Sequence, residues 1–277
     1  MNKINIPFVD LKLHNNFLKK KFINNFNNIL ENSNFIKGKN NLLLEKKISK
    51  IFKCKYSLNV NSGTDALIIA IKSLNLKSKS QIITTSNTWI SSAYAIELND
   101  CTPVFVDVNP DTFQIDCNLI RKKINNKTKA IIVTHLYGNP SNLNEICKIA
   151  KEKNLYVIED IAQAHLASYN NKIVGNFGDV SCLSFYPSKN LGALGDAGNL
   201  ITNSKKIYMN AVKFANYGSL NFKDKNHTTI GINSRMDELQ ASFLLEKIKY
   251  LKSETNKRIK LANIYNKICK KIKKKTI

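Results

Sequence analysis

The 277-residue sequence has only three arginines (Arg121, Arg235 and Arg258) against forty lysines, and it is short of proline (5) and tryptophan (1). Its formal charge of +23 invites a nucleic-acid reading, because clustered cations bind phosphate by releasing counterions. The arginine shortage argues against that reading, since bidentate contacts to phosphates and bases favour arginine. Asparagine and isoleucine are abundant throughout, as in Asn24-Asn25-Phe26-Asn27-Asn28. The charge is therefore read as compositional drift toward Lys, Asn and Ile, one that still favours anionic small molecules by raising the local potential. No nucleic-acid partner is expected. Other absences narrow the field further. Six cysteines (Cys54, Cys101, Cys117, Cys147, Cys182, Cys269) include no Cys-x-x-Cys pair, which argues against a zinc site or a disulfide framework and for small buried thiols in a reducing compartment. No apolar run approaches bilayer-spanning length, and Met1–Pro7 lacks the apolar core of a signal peptide. A cytoplasmic protein with no membrane partner and no metal is the expectation.

Hydrophobic residues make up 43% of the chain, enough to bury a core. Leu11–Leu30 reads as an amphipathic helix, with Leu11, Leu18, Phe22, Phe26 and Leu30 near helical spacing, and Leu42–Phe52 reads likewise. Short apolar strands then alternate with helical stretches. Strands are expected at Tyr56–Val60, Gln81–Thr85, Pro103–Asp107, Ala130–Thr134, Leu155–Ile158, Asp179–Phe185 and Asn199–Ile201. Helices are expected at Asp65–Leu74, Ser91–Leu98 and Asn144–Lys153, and from Arg235 to the end. This alternation implies an α/β fold with a parallel or mixed sheet covered on both faces, whose ligands sit beyond the carboxyl ends of the strands.

Four segments at those ends carry candidate chemistry. In Asn61-Ser62-Gly63-Thr64-Asp65, a small-residue turn opens a helix and exposes backbone N–H groups, which suits either a phosphate or an ordinary N-cap. In Glu159-Asp160-Ile161-Ala162-Gln163, a strand delivers Asp160 to its end. There it either faces a cationic heteroaromatic nitrogen or caps a helix, with Gln163 placed to bond a ring substituent. In Ser184-Phe185-Tyr186-Pro187-Ser188-Lys189, a lysine stands between a strand and a glycine-rich loop, where shielding from water would make it a nucleophile toward carbonyls. Trp89 serves either a planar ligand or the core. Together and in this order, the segments supply what a pyridoxal 5′-phosphate (PLP) site needs: a phosphate cup, a ring partner, an acid and a Schiff-base lysine.

At this point the chain resembles the DegT/DnrJ/EryC1/StrS sugar aminotransferases, which are fold-type-I PLP enzymes. The likeness runs from Ile6-Pro7-Phe8-Val9-Asp10-Leu11 through Ser62–Leu67, His135-Leu136-Tyr137-Gly138, Glu159–His165 and Ser184–Asn190 to Gly231–Ala241. It implies a large domain over 1–250, with an N-terminal helical arm and a mostly parallel seven-stranded sheet between helices. Residues 251–277 would begin a small C-terminal domain that is largely missing. It also implies that Lys189 holds PLP, Asp160 binds the pyridine nitrogen and Gln163 the ring hydroxyl. Gly63, Thr64 and Ser184 would hold the phosphate, Asn233 would reach it from the partner of a homodimer, and Trp89 would stack on the ring. L-glutamate is the implied amino donor and a nucleotide-linked keto sugar the acceptor. The loop Asn190–Asp196 looks like that of members acting on 3-keto-6-deoxyhexoses rather than 4-keto sugars, with Tyr186 and Tyr217 as candidate sugar contacts. Dehydratases of the same fold replace the lysine by histidine, so Lys189 argues against that chemistry. A non-catalytic binding or regulatory protein on this scaffold is the reading from another class. The sequence departs from the family pattern at Leu166, where relatives carry glycine. A β-carbon there is harmless unless the backbone needs a positive φ.

Overall fold

A computed structural model describes residues 6–221 and 226–272, apart from the side chain of His14. The N-terminal pentapeptide and the last five residues of the lysine-rich tail, both read above from sequence, lie outside the described residues. Two helices lead, α1 (Leu11–Asn32) and α2 (Lys39–Phe52). Next come β1 (Tyr56–Val60), α3 (Gly63–Ser73), β2 (Gln81–Thr85), α4 (Ser91–Glu97) and β3 (Thr102–Val106). The chain continues through α5 (Cys117–Lys123), β4 (Thr128–Thr134), α6 (Leu143–Lys153) and β5 (Tyr156–Asp160). A two-residue hairpin, β6 (Ser168–Tyr169) and β7 (Lys172–Ile173), precedes β8 (Val180–Ser184) and β9 (Gly198–Thr202). The helices α7 (Lys205–Ala215), α8 (Glu238–Lys247) and α9 (Leu251–Lys271) close the order.

The seven longer strands form one sheet in the order β1-β9-β8-β5-β4-β2-β3, in which only β9 runs against the rest. This is the mostly parallel seven-stranded sheet expected from sequence. Its central strands β4 and β5 are largely apolar on both sides because both faces are covered. On one face Ile83, Ile131, Val157 and Leu183 pack with residues of α2, α6 and α8. On the other, Ile82, Ile132, Ile158 and Leu200 meet α3, α4 and α7. Each such side chain stabilises the fold by about 1.5–3 kcal/mol on burial, which makes the sheet a firm platform for the loops at its ends.

Differences from the sequence reading lie mainly at the periphery. The helices α5 and α7 and the β6–β7 hairpin were not expected. In α7 the signal was present: Ser204 accepts the Ile207 N–H as N-cap, and Ile207, Ala211 and Ala215 are buried at helical spacing. In α1 the buried residues are Leu18, Phe22 and Ile29, while Phe26 and Leu30 stay exposed; Leu18 and Phe22 pack with Phe243 of α8. The C-terminal stretch is not helical from Arg235; it begins at Glu238 and breaks before Leu251, the only residue of α9 that is buried. Of the six cysteines, only Cys101 and Cys182 are fully buried. Burial nevertheless pushes the thiols of Cys117 and Cys147 up to about 11, so they are poor nucleophiles.

Between β2 and β4 the strand order reverses: the chain leaves β2 outward to β3, then returns to the other side of β2 with β4. Loops leaving the carboxyl ends of these strands diverge, and the crevice they leave is where ligands of such sheets bind.

Candidate active site

That crevice is a cleft of about 550 Å³, and it collects residues from every segment singled out in the sequence. Ser62, Gly63 and Thr64 line it from the start of α3, and Thr88 and Trp89 from the loop after β2. Thr134 and Asp160 come from the ends of β4 and β5; Gln163, Ser184, Tyr186 and Lys189 complete the wall. Register explains the convergence, since Thr134 pairs with Asp160 on adjacent parallel strands and Ser184 with Gly198 across β8 and β9.

The anion end is built by close packing. A β-carbon on Gly63 would lie 2.6 Å from that of Ser184, and one on Gly198 would lie 2.2 Å from the Ser62 carbonyl oxygen. Only glycine at both positions lets the α3 N-terminus approach the ends of β8 and β9. Ser62 does cap α3, its Oγ accepting the Asp65 N–H at 3.0 Å, so the N-cap reading and the cradle reading describe one turn. The remaining first-turn N–H groups sit at the positive end of the helix dipole.

The other end holds the ionisable pair. Asp160 caps no helix; its Oδ1 accepts the Ala162 N–H at 3.0 Å within a tight turn. Burial holds the Asp160 carboxyl above its ordinary range, against the opposing pull of that hydrogen bond and of the nearby Lys189 charge. Burial pushes the Lys189 amine below its ordinary range, while the Asp160 charge pulls it back up. Each group thus registers the other's charge across the cleft, and each is desolvated.

Neighbouring groups set orientation. The Gln163 Oε1 accepts the Tyr137 N–H at 2.9 Å, which commits its oxygen to the protein and leaves its amide N–H groups as donors. Tyr137 adopts φ 57° to make this contact. Beyond Lys189 the loop is held from outside: His165 Nδ1 accepts the Leu191 N–H, Lys247 Nζ donates to the Gly192 carbonyl, and Gln240 Oε1 accepts the Leu194 N–H. Burial drives the His165 pKa down to about 3, helped by the Lys189 charge, so this imidazole is neutral. Burial lowers Lys247 to about 8. None of these three positioning groups was given a role from sequence, although His165 and Gln240 lie in the runs that carry the family resemblance.

Trp89 is 72% exposed and lines the cleft, so the core-anchor reading of this residue is wrong. Tyr186 is also exposed at the cleft wall. Tyr217 does not line the cleft; its ring lies 5.7 Å from the Arg235 guanidinium. Asn233 is exposed, bridges Asn216 and stands outside its own chain's cleft. Leu166 has φ 64°, the left-handed conformation that glycine adopts without strain, so the β-carbon there is not harmless.

A second groove of about 800 Å³ runs between α1 and the start of α2, lined by asparagines and Glu238. The Glu238 carboxylate accepts the N–H groups of Gly38, Asn40 and Asn41 and so caps α2, which has no cap of its own. That groove receives none of the four candidate segments, and its Glu238 carboxylate is committed to backbone N–H groups, so the candidate chemistry belongs to the smaller cleft.

The sequence profile of the DegT/DnrJ/EryC1/StrS aminotransferase family matches residues 16–277. The chain belongs to this family. It is 42% identical over 94% of its length to the dTDP-3-amino-3,6-dideoxy-alpha-D-galactopyranose transaminase of Aneurinibacillus thermoaerophilus, covering 71% of that protein. It is 37% identical over 96% of its length to a pleiotropic regulatory protein of Geobacillus stearothermophilus, again covering 71%. Among solved structures, NtdA of Bacillus subtilis with bound cofactor PMP superposes with a TM-score of 0.85 at 32% identity, covering 91% of this chain and 57% of that chain. The fold is that of fold-type-I PLP aminotransferases, and PLP is the cofactor of the family.

The cleft of this aminotransferase fits that cofactor on its own terms. A buried carboxylate with one backbone hydrogen bond keeps a raised pKa even with the Lys189 charge nearby, and a protonated pyridine nitrogen would complete its pairing. The free Gln163 amide donors suit a phenolic oxygen, and the α3 N-terminus suits a phosphate. Among the described residues, no helix is long and apolar enough to cross a membrane.

Proposed function

We propose that this aminotransferase moves an amino group from L-glutamate to the keto-deoxyhexose of a nucleoside-diphosphate sugar, with a 3-keto-6-deoxyhexose as acceptor. The observation that carries the reading is that Lys189 and Asp160, remote in sequence, face one cleft with the α3 N-terminus beside them. The 3-amino sugar in the name of the 42%-identical relative supports the acceptor class, as does the loop Asn190–Asp196.

In this reading Lys189 holds the cofactor, Asp160 the pyridine nitrogen and Gln163 the ring hydroxyl. Gly63, Thr64 and Ser184 hold the phosphate, and Trp89 covers the ring. Bound PLP supplies an electron sink. Asp160 keeps a proton on the ring nitrogen, because a carboxylate beside a cation regains its charged form once paired. The burial-lowered pKa of Lys189 raises the fraction of free amine near neutrality, so its nitrogen attacks carbonyls and moves a proton at the substrate carbon as general base and then acid. The neutral His165 and the buried Lys247 fix the loop that presents that amine. Tyr186, exposed at the wall, is placed to meet the sugar.

The protein is proposed to act as a cytoplasmic homodimer. Exposed Trp89, Ile90, Tyr94 and Tyr137 around the cleft provide the apolar rim that a second copy would cover, and exposed Asn233 is available to a neighbouring cleft. In the same proposal residues 1–250 form the PLP-binding domain and residues 251–277 the start of a smaller one; the chain spans about seven tenths of those two curated relatives.

Incubation with PLP followed by borohydride reduction and peptide mapping tests the reading: a pyridoxyl adduct is expected on Lys189. A folded preparation labelled elsewhere, or not at all, defeats it. The regulatory name of the 37%-identical relative favours one second reading, binding without turnover. Cofactor loading with no amine transfer from glutamate to any 3-keto or 4-keto sugar nucleotide would select it.

A further inference from the structure

The phosphate turn contains an awkward charge. Asp65 lies in the first turn of α3, two residues beyond Gly63, where its carboxylate would compete with or repel any anion at that helix end. Yet Asp65 is not part of the cleft wall, although Ser62, Gly63, Thr64 and Leu67 are. Its Oδ2 accepts a hydrogen bond of 2.7 Å from the hydroxyl of Ser234, a residue 169 positions away and 1% exposed. The same hydroxyl oxygen accepts the Asn61 N–H at 3.2 Å. Ser234 is itself fixed, its backbone N–H donating to the Ala215 carbonyl at the end of α7.

We infer that Ser234 is a positioning residue for cofactor binding: by holding the Asp65 carboxylate on the far side of α3 and tying down Asn61, it keeps the anion end of the cleft free of negative charge. The inference rests on the proposed assignment of that end to the cofactor phosphate. A hydroxyl suits the task because it donates to the carboxylate while accepting from the backbone, so one buried atom fixes both sides of the turn. Without it, a mobile carboxylate can rotate toward the same N–H groups that a phosphate uses.

The test compares equilibrium binding of PLP with that of pyridoxal, which lacks the phosphate, in the full chain and its Ser234→Ala, Asp65→Asn and double variants. Ser234→Ala should weaken PLP binding about tenfold, the scale of a partly screened like-charge contact. Pyridoxal binding should change less than about twofold, because no second anion is involved. Asp65→Asn added to Ser234→Ala should restore PLP affinity, since the repelling charge is gone. An equal loss for PLP and pyridoxal, or no rescue in the double variant, overturns the inference by showing that the hydroxyl merely supports the fold. Ser234→Cys, of similar size but a poor hydrogen-bond donor, provides the same comparison if Ser234→Ala does not fold. Failure of the unaltered chain to bind PLP overturns the cofactor assignment itself, and is thereby distinguished from failure of the Ser234 role.

Discussion

Glu159 and Asp160 are adjacent carboxylates on β5, and the strand turns them to opposite faces. Glu159 is taken into the protein completely. It accepts the N–H groups of Gly175, Phe177 and Gly178 at 2.8–2.9 Å and contacts His135 Nε2 at 3.2 Å. His135 Nδ1 accepts the Ser141 N–H, which assigns the proton to Nε2 and makes the imidazole the donor. Burial alone would raise the Glu159 pKa, but His135 and the backbone donors outweigh it and hold the carboxyl below its ordinary range. Asp160 has one backbone donor and a raised pKa. The same side-chain chemistry in successive positions is thus committed to the protein in one case and, in the proposed function, left for the cofactor in the other. What separates them is whether the protein or a ligand completes the hydrogen bonding.

Two substitutions break that comparison most directly. Asp160→Asn should reduce amine transfer by about a thousandfold, the range seen when a buried electrostatic partner of the reacting system is removed. It should not destabilise the cofactor-free protein. With a folded pKa above the unfolded one, ionised Asp160 opposes folding increasingly as pH rises through that folded value, so the amide removes a penalty. Activity against thermal melting checks both halves, and a variant that melts well below the parent would show that Asp160 is structural after all.

Glu159→Gln should do the reverse. Losing the charge that three N–H groups and His135 converge on should cost about 3 kcal/mol of stability, with turnover per folded molecule largely kept. The sign with pH also differs from that of Asp160. The Glu159 contribution is fully present above the ordinary carboxylate pKa of 4.5 and is lost as pH falls through the lowered folded value. Denaturant melts from neutral to acid pH should therefore show a flatter profile in the variant.

Leu166 sharpens the comparison on a smaller scale, because it ends the segment that leaves β5. Its φ of 64° stores about 1–2 kcal/mol of strain that glycine would release. The side chain packs partly against the core, so Leu166→Gly should change stability by less than about 1 kcal/mol, a shift of about 2–4 °C in Tm or less. A larger loss would show that packing, not backbone strain, governs this position.

Much of the site was legible because its parts lie in short runs. An apolar strand ending in Asp160 and a small-residue turn opening α3 are local patterns. So is Ser184 spaced five residues before Lys189, and local patterns survive in one dimension. Tyr217 was legible only as an aromatic, and nothing in its neighbourhood could show that it turns toward Arg235 and away from the cleft. The buried stripe of α1 was misplaced for a related reason: a helix with apolar residues on two sides does not announce which side meets α8. The roles of Lys247, Gln240 and Ser234 were unreadable, although the last two lie in the Gly231–Ala241 run, because their partners are 46 or more residues away and a lysine among forty carries no local mark.

By itself the sequence determined the alternation of strand and helix, the chemistry available at each strand end, and the family to which the order of those ends belongs. All of these depend on side-chain identity and on spacings of a few residues, which the chain carries wherever it goes. Only the tertiary structure decided which of two neighbouring carboxylates lines the cleft with acceptor capacity to spare, and which distant hydroxyl bonds Asp65. Those outcomes depend on desolvation and on donors brought from other elements, and neither exists until the sheet has closed around them.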